Sequence, residues 1–286
     1  INATLWMTGT LVSFMGMAVG GRELSLEMDT FQILFFRSLI GLFVLCLILF
    51  NKGWHLAETR HFPLHFLRNI SHFGGQFGWF YGIAYLPLSE VFAIEFTLPV
   101  WTAVLATLIL KEQMTLSRFS AVALGIAGML VILRPGMGVL NTISLFVLAS
   151  ALCFGLSHTL TRRIVWFDHP ITILFYMTLI QLPIGFVLCL NNWAFVSFSM
   201  WPWLIVVGIT ALTAHYCMAR AFAIADATVV VPMDFLRLPL IAVLGYLFYN
   251  EILDIFVLIG AFIMLSGNFI NIRAEHKKAK QSHISG

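Results

Sequence analysis

Two stretches decide the reading: Ala84–Glu112, AYLPLSEVFAIEFTLPVWTAVLATLILKE, and Ala223–Glu251, AIADATVVVPMDFLRLPLIAVLGYLFYNE. At an offset of 139 residues Phe96 falls on Phe235, Ala103-Val104-Leu105 on Ala242-Val243-Leu244, and Glu112 on Glu251. Glu95 meets Asp234, so an acid recurs at one place within two apolar runs. The same offset carries Gly128 onto Gly267 and Arg134 onto Arg273; an offset of 140 carries Ile33-Leu34-Phe35 onto Ile173-Leu174-Phe175. The chain reads as a doubled unit, residues 1–134 and 142–273, with a basic tail at 274–286.

The composition says what surrounds those units. Apolar residues make up 60% of the 286 and charged residues 10%, against soluble norms of about 45–50% and about 25%. A soluble surface needs far more charge than this, and a mean hydropathy of +0.95 is reached only when apolar stretches fill most of the length. Each membrane span needs about 20 residues. Apolar runs between breakers predict spans near 3–21, 30–50, 68–86, 90–110 and 117–134, then 142–161, 170–190, 201–222, 228–249 and 255–272. The fold class expected is an all-α polytopic membrane protein of ten transmembrane helices. No room remains for a soluble domain, so extramembrane enzymes and nucleic-acid binders are excluded. Cys46, Cys153, Cys189 and Cys217 stand apart in apolar stretches, without a C-x-x-C pair, so neither a disulfide framework nor a metal site is expected. No cofactor is implied. The first apolar stretch lacks a basic leader and reads as a retained span.

Orientation follows from the positive charges. With the N-terminus inside, the cytoplasmic connectors hold Lys52, Arg60, Arg68, Lys111, Arg118, Arg162 and Arg163, and the tail adds Arg273, Lys277, Lys278 and Lys280. The other side holds Arg22 and Arg134. Both termini are therefore expected in the cytoplasm, with a bacterial plasma (inner) membrane as the location. Five spans is an odd number, so the two units lie in the bilayer with opposite orientation. Inverted repeats place a site between the copies near the midplane and supply two states of similar energy, which is the architecture of alternating access.

The residues also carry a resemblance. Leu110-Lys111-Glu112 followed by Gly125-x-x-Gly128, Tyr249-Asn250-Glu251 followed by Gly260 and Gly267, Phe36-Arg37, and Ala221-Phe222-x-x-Ala225-Asp226-Ala227-Thr228 leading to Pro232 are similar to the patterns of the drug/metabolite transporter superfamily. The chain resembles its EamA-type branch of five-plus-five helix proteins over essentially its whole length. The resemblance implies a substrate site between the halves and leaves the substrate open. The second half is similar to bacterial S-adenosylmethionine and amino-acid-type carriers.

Ionisable groups inside spans mark functional sites by default, because each costs roughly 2.5–3.5 kcal/mol at a helix centre. Arg37, Glu95, Asp234 and Arg237 fall within spans and are expected to line a shared interior. The plainer alternative for Asp234 and Arg237, three apart, is a mutual ion pair on one helix face. Gln76 is the neutral polar candidate. Trp79, Trp101 and Tyr216, with Tyr81 and Phe235, could wall a cation; placement in a belt or core is the alternative for each. The substrate-binding set is thus Arg37, Gln76, Trp79, Glu95, Trp101, Tyr216, Asp234 and Arg237. Pro99 and Pro239 interrupt spans at near-equivalent places and, with Glu112 and Glu251 at the span ends, form the hinge or gate set. His72, His158 and His215 read as interhelical hydrogen bonders. Gly74, Gly78 and Gly82, four apart, read as a packing face.

No G-x-x-x-x-G-K-[ST], H-E-x-x-H or G-x-S-x-G occurs, which disfavours ATP-driven transport by this chain alone and an intramembrane hydrolase. The function expected is secondary transport of a small organic metabolite, amphoteric because both signs of charge line the interior. The alternatives are an organic-cation exporter of the same fold and, from another class, an intramembrane enzyme. The partners expected are the metabolite and the lipid bilayer, in a monomer or homodimer. Coupling to protons is left open, since a protonatable Glu95 would make transport depend on pH.

Overall fold

A computed structural model describes residues 3–111, 113–134, 141–225, 230 and 233–284, with the side chains of 222, 223, 275, 276 and 278–284 left aside. Glu112, Pro232 and the 226–229 stretch lie outside the described residues. Among those described, regular structure is entirely helical, as hydrocarbon demands of a chain that must satisfy its backbone internally.

The long helices are α1 (Ala3–Leu24), α2 (Thr30–Lys52), α3 (Phe62–Tyr85), α4 (Leu88–Glu95), α5 (Leu98–Leu110), α6 (Leu116–Leu133), α7 (Thr142–Ile164), α8 (Pro170–Cys189), α9 (Trp201–Ile224), α10 (Arg237–Tyr249) and α11 (Ile255–Ile284). Polar side chains start several of them: Asp29 accepts from the Phe31 amide at 2.8 Å, Thr115 from Arg118 at 3.3 Å and Asn141 from Ser144 at 2.8 Å. Each cap satisfies a first-turn amide that has no partner within its helix.

Among the described residues, eight segments are long and apolar enough to cross a membrane, with α4 and α5 together forming one of them. Helix α3 spans 24 residues but is not among the eight, because Arg68, Asn69, His72 and Gln76 dilute its apolar content. Helix α10 has only 13 residues. Span four, expected as one run, is broken at Phe96-Thr97 into α4 and α5. The basic tail continues α11 to Ile284; its Ala and Lys residues favour helix.

The doubling seen in the sequence recurs in the packing. The most extensive helix pairs join the two halves: α1 with α9, α3 with α7, α2 with α8, and α6 with α11. Exchanging each helix for its counterpart leaves that list unchanged. Helices α5 and α10 end in the same way, on Lys111 (φ 56°) and Asn250 (φ 53°), 139 apart and both left-handed. A side chain on Gly128 would strike the Gly260 carbonyl, and one on Gly267 would strike the backbone of Ala121; these two close approaches are the same contact read from either half.

Gly78 sits directly against the Phe146 carbonyl and Ser150 of α7, so the packing reading of the α3 glycines fits what they touch. Substituting Gly78→Leu is expected to force α3 off α7 and reduce the yield of folded protein, whereas Gly74→Ala, which meets only the Cys153 sulfur at 3.4 Å, is expected to be tolerated. Size-exclusion profiles in detergent check both.

Candidate functional site

Between the halves lies a cavity of about 230 Å³. Its lining repeats the symmetry: Phe14 with Phe154, Gln76 with His215, Trp79 with Met218, Glu95 with Asp234, Phe96 with Phe235, and Leu98 with Arg237 all face it, each pair related by the 139–140 offset. Phe96 and Phe235 stack on each other with ring centroids 4.3 Å apart, which puts the cavity across the line relating the two halves. Each ring follows the acid of its own half and sits where its helix is broken.

The breaks explain how charged groups reach the interior. Phe96 and Thr97 leave helical register, with Thr97 returning its hydroxyl to the Ile94 carbonyl at 2.8 Å. Pro99 and Pro239 then fall in the first turns of α5 and α10, where a missing amide is tolerated. Pro99 lines the cavity; Pro239 is not among its lining residues. The prolines thus restart each helix just past its cavity acid.

Arg237 is the hub. Its Nη1 lies 3.2 Å from Glu95 Oε1 and its Nη2 2.7 Å from Asp234 Oδ2, and the guanidinium sits over the Phe14 ring at 4.4 Å and the Phe96 ring at 5.1 Å. Trp79 donates its indole N–H to Glu95 Oε2 at 2.8 Å. Two carboxylates therefore share one guanidinium, and Asp234 Oδ1 is buried without a hydrogen-bond partner.

Arg37 is the opposite case. It lines the same cavity at 4% exposure, makes no ion pair among the described residues, and its Nε is buried without a partner. Its counterpart at offset 140 is Met177, so this charge belongs to one half only. His72, with counterpart Ala211, takes the Gln76 and Gln181 amide nitrogens on Nδ1 at 2.8 and 3.1 Å. Gln76 Oε1 is left buried and unpaired.

Of the eight residues expected at the substrate, Arg37, Gln76, Trp79, Glu95, Asp234 and Arg237 line the cavity. Trp101 and Tyr216 do not, and their expected placement is corrected. Trp101 donates to Thr97 Oγ1 at 3.1 Å and packs on Gly155 of α7. Tyr216 is turned about 100° round the helix from its neighbour His215; it is 51% exposed and set edge-on to Trp6. Tyr81, offered as part of the aromatic wall, stacks on Phe77 instead. The cavity also takes in His72, His158 and His215, which single-residue reasoning left as structural. Matching Gln76 to position 215 by the repeat offset would have found one of them.

Glu251 lies away from the cavity, paired with Arg22 at 3.1 Å. A second hollow of about 330 Å³, lined in part by Ala106, Arg118, Arg162 and Asn271, shares Leu98, Pro99 and His158 with the central one.

Comparison with known proteins agrees with this architecture. The model of the EamA-like transporter family matches residues 2–134 and 141–273. Curated relatives include an S-adenosylmethionine uptake transporter of Rickettsia prowazekii, 25% identical over 285 residues, covering 100% of this chain and 97% of that one. A riboflavin transporter of Brucella anthropi is 29% identical over 250 residues, with 85% and 88% covered. A pseudopaline exporter of Pseudomonas aeruginosa is 22% identical over 246 residues, with 85% and 86% covered. One crystal structure shares the fold at a TM-score of 0.66 and 16% identity, over 94% of this chain and 95% of that one. Apolar helices in number, a doubled unit and two successive family matches lead to one conclusion: this chain is an integral membrane protein of the EamA-like transporter family.

Proposed function

We propose that the chain is a secondary carrier for an amphoteric small metabolite, working by alternating access between two inverted five-helix repeats. In this reading α3 and α10 complete ten spans, both termini are cytoplasmic, and the membrane is the bacterial inner membrane. The observation that carries the substrate class is the charge arrangement of the cavity. Two carboxylates on one guanidinium leave one negative charge over, and Arg37 supplies one positive charge without an ion-pair partner among the described residues. A zwitterion satisfies both, its carboxylate on Arg37 and its ammonium on the open Asp234 Oδ1 or an aromatic face. A plain organic cation would leave Arg37 buried and uncompensated, which disfavours the exporter alternative.

The relatives support the class without fixing the compound. S-adenosylmethionine, named for the Rickettsia relative, carries a zwitterionic amino-acid head, a sulfonium cation and an aromatic base; the cavity offers Arg37 and Asp234 for the head and the aromatic faces of Trp79, Phe14 and Phe154 for the cation and the base. Purified protein is therefore screened by thermal unfolding against S-adenosylmethionine, methionine, and matched compounds lacking the carboxylate or the amine. Binding raises the midpoint by mass action. Zwitterions are expected to shift it and the truncated compounds to have little effect; an equal shift by a plain dicarboxylate would sink the proposal.

The topology has its own check. In a background without the native cysteines, a cysteine at Asn192 is expected to react with an impermeant maleimide from outside, and one at Gly53 only from inside. Labelling of both from one side contradicts the inverted arrangement.

A further inference from the structure

We propose that Arg22 and Glu251 are the latch of the outer gate. The inference rests on the carrier reading above but concerns residues outside the cavity. Arg22, in the last turn of α1, lies 3.1 Å from Glu251 Oε1 and also donates to the Leu86 carbonyl. Glu251 Oε2 accepts the Leu88 amide at 2.8 Å, one of the first-turn donors of α4 that lack a helical partner. One ion pair thereby ties three segments: the end of α1, the α3–α4 connection and the α10–α11 connection. The first two belong to one repeat and the third to the other, so the halves cannot separate at this end while the pair holds.

The latch closes over a solid plug. Along α3 the chain runs from Trp79 and Phe80 at the cavity to Ile83 and then Leu86 at the latch. Ile83, Leu24 and Leu88 are all fully buried. With side chains 16% and 13% exposed, the pair is partly desolvated, which strengthens it relative to a surface pair, yet it remains within reach of water and can break.

The latch has further ties. The Tyr249 hydroxyl donates to Glu23 at 2.8 Å, and the Arg22 guanidinium lies over the Tyr249 ring at 5.1 Å. The positions that the repeat offset relates to Tyr249 and Glu23 are Leu110 and Arg163, which by residue type can form neither contact. With these ties in place the empty carrier rests with its outer end closed.

The test is labelling of a single cysteine placed at Met17 of the cavity, in otherwise cysteine-free protein, with an impermeant maleimide applied to right-side-out and inside-out vesicles. Reaction from the inside is expected to be the faster in the unmodified gate. Glu251→Gln is expected to raise the outside-to-inside ratio by about tenfold, in line with loss of a charged hydrogen bond. Tyr249→Phe should raise it less, and the exchanged pair Arg22→Glu with Glu251→Arg should return it towards the starting value. An unchanged or lowered ratio in Glu251→Gln overturns the proposal. Should Glu251→Gln fail to fold, Tyr249→Phe decides: no shift counts against the latch. Labelling needs no substrate, so it fails or succeeds independently of the zwitterion reading.

Discussion

Arg37→Gln is expected to weaken uptake of a zwitterionic substrate by about 10–100-fold, the range for losing a hydrogen bond to a charged group, while the empty protein unfolds at the same or a higher temperature. The two signs differ for one reason. In the empty cavity Arg37 is a buried cation without a counter-ion among the described residues, so its presence is a desolvation penalty for the fold. A bound carboxylate repays that penalty, and only the variant without the guanidinium forgoes the repayment. Arg37→Lys is expected to recover part of the affinity, because an ammonium keeps the charge but not the planar two-donor fork. Initial uptake rates over a range of substrate concentrations, set beside thermal unfolding of the same preparations, check both signs. A variant that loses uptake and stability together would make Arg37 a structural residue.

Arg237→Gln is expected to have the opposite profile and the largest effect on folding. Removing one partner of a buried pair costs about 3–5 kcal/mol because the remaining charge is left uncompensated, and here two carboxylates, Glu95 and Asp234, lose the same cation. Folded yield is expected to collapse. Adding Glu95→Gln and Asp234→Asn to Arg237→Gln removes the stranded charges and is expected to restore folded protein that does not transport. If the triple variant folds no better than the single one, the stability of this region lies in the packing of Arg237 over Phe14 and Phe96 rather than in its charge balance.

The doubled architecture was legible because it is a one-dimensional signal. An offset of 139 between two apolar runs needs no knowledge of contacts, and it carried Glu95 onto Asp234 and Phe96 onto Phe235, which meet in the folded chain. Burial of the charged cavity residues was legible for a similar reason, since Arg37 and Glu95 have nowhere to go in a lipid-facing surface. The side on which a residue faces was not. Trp101 and Tyr216 are aromatic residues at mid-span depth, as Trp79 is; what separates them is a rotation of their helices that only packing against α7 and α1 determines. The break at Phe96-Thr97 was also hidden, because Pro99 reads as a kink where it stands when it is in fact the first turn of a new helix. The sharing of Arg237 between two acids, one from each half, depends on the approach of α4 to α10 and has no local signature.

Counterflow in proteoliposomes tests the central claim most directly. Vesicles preloaded with unlabelled S-adenosylmethionine are placed in a trace of the labelled compound, and its entry is followed for the unmodified protein and for Arg37→Gln. A transient, saturable accumulation of label above the equilibrium level is predicted for the unmodified protein, with the half-saturating concentration raised about 10–100-fold in Arg37→Gln; the same experiment with methionine covers the smaller zwitterion. If label from both compounds merely equilibrates without overshoot, or if overshoot occurs equally in Arg37→Gln, the cavity between the repeats is not the site at which this carrier holds an amphoteric substrate.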